Sequence, residues 1–146
     1  MKSGVRRPDP ESESLTEERC YIVEVSGRPE DPELSIARAR VEPGVTTQLH
    51  ALDGIAERYL IVEGEGRMET GHAMERRTAA VGPGDVVLIP PGVPQRITNT
   101  GIDDLVFYCL CTPAWNDEAY GSLEPDGDER DADRGQEYDR ESMRPD

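Results

Sequence analysis

The residues between Cys20 and Thr112 form a series of short runs of strand length, separated by turns that contain Gly or Pro. The runs are CYIVEVS, LSIARARV, ERYLIVEG, GRMETG, RTAAVG, DVVLIP, QRITN and DLVFYCLC. The breaks EGEG, VGPGD, IPPGVP and NTG favour turns, since Gly accepts a positive φ and Pro fixes φ. Many short strands at close spacing, with no long helical period before residue 113, predict an all-β sandwich or barrel.

Both ends of the chain differ from this middle segment in composition. The formal net charge is −15, and the stretch from Asn116 to Asp146 alone carries twelve acidic and four basic residues. Segments with so few apolar residues cannot bury enough surface to offset the entropy lost on ordering. We therefore predict disorder over residues 1–18 and 125–146, on either side of one folded domain at residues 19–124.

The predicted domain ends in a short docking segment with the sequence PAWNDEAYGSLE. It follows the last predicted strand and is long enough for one short helix. Its large apolar side chains are Trp115, Tyr120 and Leu123, which we expect to pack back on the sheet.

Composition also limits the partners and the compartment. A protein that binds nucleic acid usually carries a basic stripe, and none is visible here, so no nucleic-acid partner is predicted. No apolar run approaches the ~20 residues of a membrane helix, and no apolar stretch follows the basic residues near the N-terminus. The three cysteines, Cys20, Cys109 and Cys111, follow no disulfide or zinc spacing. We therefore expect a cytoplasmic protein with no membrane partner.

Two spaced patterns lie inside the predicted domain. The first is Gly44, five residues, His50, one residue, Leu52, four residues, Glu57, six residues, Gly64. The second is Gly84, five residues, Pro90, one residue, Gly92, two residues, Gln95, three residues, Asn99. These patterns resemble the two sequence motifs of the cupin superfamily, and in particular of small stand-alone bacterial cupins, some of them mannose-6-phosphate isomerase-like. The resemblance implies a double-stranded β-helix, which is the jelly-roll barrel of the cupins.

The resemblance also implies a candidate metal site. Four positions of the cupin motifs, typically three His and one Glu, bind iron, manganese, zinc or nickel. In this chain they are His50, Leu52, Glu57 and Gln95. Leu52 cannot ligate a metal, and Gln95 is a neutral oxygen donor that suits these ions poorly. His50, Glu57 and Gln95 remain as the candidate ligands of a divalent Mn, Fe, Zn or Ni ion.

Two interpretations of His50 and Glu57 stay open. In the first they form a partial metal site that Gln95, water or a substrate completes. In the second the metal has been lost, and the two side chains are a hydrogen-bonded pair that can act as acid or base near neutral pH. Since residues two apart on a strand face the same side, the predicted pocket wall also includes other side chains. These are Gln48, Leu52, Tyr59, Gln95 and Ile97.

The sequence thus predicts a small cupin with a polar small-molecule pocket. It also predicts a homodimer, because small cupins are commonly dimeric. The first candidate function is an isomerase, lyase or oxygenase acting on a small polar or sugar-like compound, with His50 and Glu57 as catalytic residues. The second is a non-catalytic small-molecule binding or sensor domain. Cys109 and Cys111 are expected to be small buried hydrophobes, which line the pocket if their face of the strand points toward it.

Overall fold

The computed structural model describes residues 1–124, and nearly all of its regular structure is strand. The strands are β1 (Ser14–Leu15), β2 (Tyr21–Ser26), β3 (Ser35–Val41), β4 (His50–Leu52), β5 (Ala56–Glu63), β6 (Gly66–Thr70), β7 (Arg77–Val81), β8 (Val86–Ile89), β9 (Gln95–Asn99), β10 (Leu105–Thr112) and β11 (Tyr120–Ser122). The helical elements are single 3-10 turns at Pro10–Ser12, Ala73–Glu75 and Asp117–Ala119. Over these 124 residues, no helix has the length and apolar character that crossing a membrane requires.

The strands form two sheets with antiparallel pairing. One has six strands in the order β1-β2-β3-β10-β5-β8, and the other has five in the order β11-β4-β9-β6-β7. Consecutive strands such as β4 and β5, or β5 and β6, belong to different sheets, so the chain winds from one sheet to the other. The structure confirms the predicted all-β fold, a double-stranded β-helix of the jelly-roll type.

Each of the eight runs identified in the sequence contains one strand, and QRITN coincides with β9. Three further strands, β1, β4 and β11, lie outside these runs, and of the three only β4 was implied, by the parity argument for His50 and Leu52. They have only two or three residues each, and they exist through pairing with a neighbour, as β11 does along β4. So short a segment carries no readable alternation of apolar and polar residues.

The core consists of two apolar clusters. The main cluster fills the barrel and contains Cys20, Ala39, Val41, Tyr59, Ile61, Met68, Ile89, Ile97, Leu105 and Phe107. The smaller cluster contains Leu52, Ile55, Cys111 and Ala119, with Trp115 and Tyr120 packed against it. The C-terminal segment therefore docks through Trp115 and Tyr120, whereas Leu123 is half exposed.

Gly64, which belongs to the first spaced pattern, is required by the turn between β5 and β6. Its φ is +87°, a conformation that side chains other than glycine rarely adopt. A Cβ atom at this position would lie 2.6 Å from the carbonyl oxygen of Asp104. The turn therefore tolerates neither the strain nor the volume of another residue.

Part of the N-terminal segment predicted to be disordered makes defined contacts. Ser14 and Leu15 pair with β2, and the carboxylate of Glu13 accepts two hydrogen bonds from Arg40, at 2.9 and 3.0 Å. Because the partner of Glu13 lies on β3, the composition of residues 1–18 gives no sign of this contact. The disorder predicted for residues 125–146 concerns a stretch outside the described residues.

Candidate functional site

A cavity of about 750 Å³ lies inside the barrel, within the size range of small-molecule sites. Its apolar wall includes Ile22, Ala37, Ala39, Phe107 and Cys109. Residues of the N-terminal segment, β4, β5 and the docking segment supply polar groups, namely Thr16, Glu18, His50, Glu57, Tyr59 and Tyr120. A ligand in this cavity would therefore contact an apolar face and a group of titratable side chains.

His50 is held in one orientation at the start of β4. Its side chain is buried, and Nδ1 lies 2.8 Å from the carbonyl oxygen of Gln48. A carbonyl oxygen can only accept a hydrogen bond, so Nδ1 carries the proton and Nε2 is the basic nitrogen of the neutral ring. Nε2 faces Glu18, whose Oε2 is 3.8 Å away, and the ring stacks on Tyr120.

Glu57 places a buried carboxyl group in the wall of the cavity. Glu57 is only 6% exposed, and its Oε2 accepts a long hydrogen bond of 3.6 Å from the Cys111 thiol. Within residues 1–124, Oε1 has no hydrogen-bond partner. Burial raises the pKa of this carboxyl group, while the charge of His50 and the Gln95 amide act in the opposite direction. Glu57 therefore keeps its proton to a higher pH than an exposed glutamate.

Gln95 lies opposite His50 in the pairing of β4 with β9, and it is fully buried. Its Oε1 accepts a 2.6 Å hydrogen bond from the Tyr59 hydroxyl. The amide nitrogen is then turned toward Glu57, where it lowers the pKa of the carboxyl group without a hydrogen bond of normal geometry. If the oxygen and nitrogen of the Gln95 amide were exchanged, the amide oxygen would lie against the Glu57 carboxylate. Gln95 thus offers Glu57 an N–H donor.

The structure places the predicted pocket residues in two groups. His50, Glu57 and Tyr59 line the cavity. Four others lie behind the wall: Gln48, Leu52, Gln95 and Ile97. Gln48 accepts a short hydrogen bond from the Tyr120 hydroxyl, and Leu52 and Ile97 belong to the two apolar clusters. Strand parity gives the direction of a side chain but not its depth, so these four point inward without reaching the cavity.

These residues do not fit a transition-metal centre. Of the three candidate ligands, His50 and Glu57 present donor atoms to the cavity, but the oxygen of Gln95 is taken by Tyr59. In the described part of the chain, no group of three or more His, Cys, Asp and Glu side chains is arranged to hold a metal ion. His72 is exposed beyond β6 and does not line the cavity. Catalytic zinc and non-haem iron sites normally need three good protein ligands.

The three cysteines line the cavity as protonated thiols. All are free, and burial raises the pKa of Cys20 to about 12 and that of Cys109 and Cys111 above the ordinary range. A nucleophilic cysteine needs a lowered pKa, so none of these is a candidate nucleophile. They serve the cavity as small, weakly polar wall residues.

Several cavity residues could not be identified from the sequence. Phe107 has the strand parity of Cys109 and Cys111, so the parity argument could have included it. Glu18 lies in a segment predicted to be disordered, and nothing in its local sequence points to the cavity. The wall carries five carboxylate residues, Glu17, Glu18, Glu24, Glu57 and Asp117, against the single guanidinium of Arg28. This balance favours ligands rich in hydrogen-bond donors over anions.

The comparison of the sequence with known proteins and the comparison of the structure with solved structures agree with each other. The family model of the Cupin domain matches residues 37–111. An uncharacterised protein of Methanocaldococcus jannaschii is 34% identical over 90 residues, which cover 62% of this chain and 69% of that protein.

Solved structures with the same fold include larger and similarly sized proteins. Oxalate decarboxylase from Bacillus subtilis superposes with a TM-score of 0.72 at 21% identity, over 84% of this chain and 33% of that enzyme. This chain therefore spans about a third of that protein, which contains Mn(II) centres. A variant of Streptomyces PAC13 solved with uridine superposes with a TM-score of 0.66 at 16% identity, over 84% of this chain and 92% of PAC13. Identities this low show a shared fold.

Proposed function

Because this chain belongs to the cupin family, we propose that its barrel binds a small polar compound and catalyses a proton transfer on it through His50 and Glu57. The reaction classes that fit are isomerisation and elimination. No metal enters the proposal, since the side chains at the motif positions do not supply three donors to one point. An oxygenase is not proposed, because a non-haem iron centre needs two His and a carboxylate.

One observation carries this proposal: the buried carboxyl group of Glu57 lines the cavity, and among residues 1–124 its Oε1 has no hydrogen-bond partner of normal geometry. A buried, unpartnered polar atom is costly unless something hydrogen-bonds to it. A hydroxyl or carbonyl oxygen of a ligand can satisfy a protonated carboxyl group at this point. Because burial raises the pKa of Glu57, this group keeps a proton that it can donate to the ligand at a pH where an exposed glutamate is ionised.

His50 supplies the complementary base. Since Nδ1 donates to the Gln48 carbonyl group, the lone pair of Nε2 is available to remove a proton from a carbon atom of the ligand. In an elimination, the C–H electrons form the new double bond, and the C–O bond breaks as Glu57 protonates the leaving oxygen, which departs as water. After an elimination His50 is protonated and Glu57 ionised, and proton exchange with solvent restores both. In an aldose–ketose isomerisation, the same two proton transfers give an enediol; His50 then returns a proton to the adjacent carbon atom while Glu57 takes the proton of the other hydroxyl group, so that both groups are restored.

The proposed ligand is neutral and rich in hydroxyl groups, such as a sugar, polyol or nucleoside. The excess of carboxylates on the cavity wall supports this class, since carboxylates accept hydrogen bonds from hydroxyl groups and repel anions. The uridine bound by Streptomyces PAC13, a structural neighbour of similar length, is a compound of this kind.

A non-catalytic binding or sensor domain is the second candidate. The observation that favours it is the close packing of His50 between the Gln48 carbonyl group, Glu18 and the Tyr120 ring. A histidine with a contact on each side can be a structural element of a binding site. In that case a ligand binds in the cavity and leaves unchanged.

The test is a nuclear magnetic resonance screen of EDTA-treated protein in D₂O against aldoses, polyols and nucleosides, uridine included. We expect at least one compound to bind and to exchange a C–H proton for deuterium or lose water. Added Mn²⁺, Fe²⁺, Zn²⁺ or Ni²⁺ should change the rate by less than about twofold. Conversion that occurs only with an added metal would contradict the proposed chemistry. Binding without exchange or product would instead establish the second candidate.

We further propose that two copies of the chain pair along β8, at an edge of the six-stranded sheet that carries an apolar patch on its outer face. Four large apolar side chains are exposed there on neighbouring strands: Leu60, Val62, Val86 and Leu88. In the described structure β8 is the outermost strand of this sheet, so its free backbone groups can pair with those of another strand. An antiparallel pairing of β8 with the β8 of a second copy has two-fold symmetry and closes at a dimer.

Leu88→Glu is expected to convert the dimer to a monomer, because it places a charge on each side of the two-fold axis within an apolar contact. Leu88 is 71% exposed in one chain, so the substitution should leave the fold intact. Ile102→Glu, at a position that is 92% exposed and outside this face, is the matched control. Sedimentation velocity measures both variants. Wild type that sediments as a monomer at all micromolar concentrations would contradict the proposed pairing.

A cytoplasmic location is also proposed. It is supported by the three free cysteines, since thiols persist in reducing compartments. Fractionation of the source cells, followed by immunodetection, tests it, and recovery outside the cytoplasmic fraction would contradict it.

A further inference from the structure

The N-terminal strap, defined as residues 13–20, crosses the cavity wall next to His50. Thr16, Glu17 and Glu18 from this strap line the cavity. The strap is joined to the start of β4 by a hydrogen bond from the Gln48 amide to the Glu18 carbonyl oxygen, 3.0 Å in length. It therefore lies over the same end of the cavity as His50 and Glu57.

Arg19 holds the strap in place from the outside. Its Nε donates to the Thr46 carbonyl oxygen at 2.9 Å, and its two terminal nitrogens donate to the carboxylate of Glu124 at 3.2 and 2.8 Å. Glu124 also accepts a 2.9 Å hydrogen bond from the Leu49 amide. This bidentate ion pair links the strap to the C-terminal end of the described chain, beside β4. A planar pair with two parallel hydrogen bonds is among the more specific ion-pair geometries.

The backbone at Arg19 is in a conformation that a non-glycine residue rarely adopts. Its φ is +71°, in the left-handed region. Such a conformation persists only when surrounding contacts hold it, and in proteins it is concentrated at ligand clamps and active sites. Here the contacts of the Arg19 side chain hold it, and the turn directs the neighbouring Glu18 side chain into the cavity.

The side chain of Glu18 meets two cavity residues. Its Oε2 lies 3.8 Å from His50 Nε2, and its Oε1 accepts a 3.6 Å hydrogen bond from the Cys20 thiol. The distance to Nε2 is too long for a hydrogen bond, so both atoms retain hydrogen-bonding capacity toward a ligand. Glu18, Glu57 and His50 then offer acceptor or acid groups to the same end of the cavity.

We propose that Glu18 is a ligand-contacting, specificity-determining residue of this site, and that the Arg19–Glu124 ion pair is the latch that positions it. The ligand class follows from its charge: compounds that donate hydrogen bonds, neutral or cationic, are retained, and anions are rejected. The part concerning Glu18 rests on the proposed small-molecule function. The latch does not, and it can be tested without any ligand.

The latch is tested by the accessibility of Cys20, which is the last residue of the strap and is 3% exposed. Arg19→Ala should increase the rate of Cys20 alkylation by iodoacetamide by about tenfold, measured by peptide mass spectrometry, because loss of the bidentate pair favours local opening. The charge-swapped pair Arg19→Glu with Glu124→Arg should restore slow labelling only in part, because the hydrogen bonds to the Thr46 carbonyl oxygen and from the Leu49 amide are lost. The control Arg6→Ala removes an exposed ion pair with Glu30 and should have no effect. Unchanged labelling of Cys20 in Arg19→Ala would overturn the latch.

The role of Glu18 is tested with myo-inositol, D-glucosamine and citrate as probes, by saturation-transfer nuclear magnetic resonance. Wild type should bind the first two and not citrate. Glu18→Gln should weaken D-glucosamine binding by about tenfold, and Glu42→Gln, which alters an exposed carboxylate away from the cavity, by less than about twofold. Equal effects of the two variants, or binding of citrate by wild type, would overturn the assignment of Glu18. If none of the probes binds while Cys20 labelling responds as expected, the ligand class is wrong and the latch stands.

Discussion

Glu57→Gln is expected to reduce turnover of the ligand identified in the screen by about 10²–10⁴-fold, the usual contribution of a positioned acid or base. The amide has nearly the same shape and can hydrogen-bond to the ligand, but it has no proton to transfer at neutral pH. Binding should therefore weaken by less than about tenfold, so that the loss falls on the chemical step. Glu42→Gln, which alters an exposed carboxylate away from the cavity, is the matched control and should retain nearly full turnover.

The same variant has a consequence for stability that requires no substrate. The pKa of Glu57 in the folded protein lies above the 4.5 of an exposed glutamate, and burial is the main cause. Between the two pKa values the folded state binds more protons than the unfolded state. This contribution to stability is complete below pH 4.5 and is lost as the pH rises through the folded-state pKa.

Glu57→Gln removes this dependence. As the pH rises from 4.5 to 7, the free energy of unfolding of the variant should increase relative to that of wild type, as measured by urea denaturation. His50, Glu18 and Cys111 face Glu57 or contribute to its shift, and they are unchanged in the variant. Glu42→Gln alters an exposed carboxylate and is the control. Its free energy of unfolding should change with pH as that of wild type does over the same interval. A parallel curve for Glu57→Gln would mean that the carboxyl group is already ionised at pH 5, which contradicts its role as a proton donor.

Leu52→Ala is expected to lower the free energy of unfolding by about 2–5 kcal/mol, the range for truncating a large aliphatic side chain in a packed core. Leu52 is 1% exposed and packs in the cluster formed by Ile55, Cys111 and Ala119, under Trp115 and Tyr120. Leu15→Ala, at a position that is 61% exposed and outside both clusters, should cost less than about 1 kcal/mol. Urea denaturation with a common slope measures both.

This variant also separates two roles of Leu52. As an apolar wall of the pocket, Leu52 would affect ligand binding when shortened, with little effect on stability. If Leu52 instead lies behind the wall, shortening it should lower stability strongly. It should then affect ligand binding only indirectly, through the position of Cys111, which shares its cluster and donates to Glu57. A destabilisation below about 1 kcal/mol together with altered ligand preference would contradict the packing described above.

The sequence by itself determined the fold. Each of the eight runs contains a strand because a strand of four to eight residues shows its period of two and ends at Gly or Pro, both of which are local properties. The spaced patterns around His50 and Gln95 identified the family. The same patterns predicted His50 and Glu57 as polar residues of the barrel, and strand parity agrees with the direction in which their side chains point.

The tertiary structure alone decided the composition of the cavity wall. Leu52 and Gln95 point inward as predicted, yet they lie behind the surface, because depth depends on what packs in front of a side chain. For Gln95, one hydrogen bond from Tyr59, 36 residues away in the chain, determines which end of the amide faces Glu57. No local pattern contains that information.

The N-terminal strap shows the same division at a larger scale. Its polar composition predicts disorder, and taken alone it has too few apolar groups to order itself. Glu13 is held by Arg40 on β3, and Arg19 is held by Glu124, which is 105 residues away in the chain. Contacts this distant in sequence exist only once the barrel has formed and has brought both partners to its surface. The sequence therefore determined the barrel, and the folded barrel determined that Glu18 reaches its cavity.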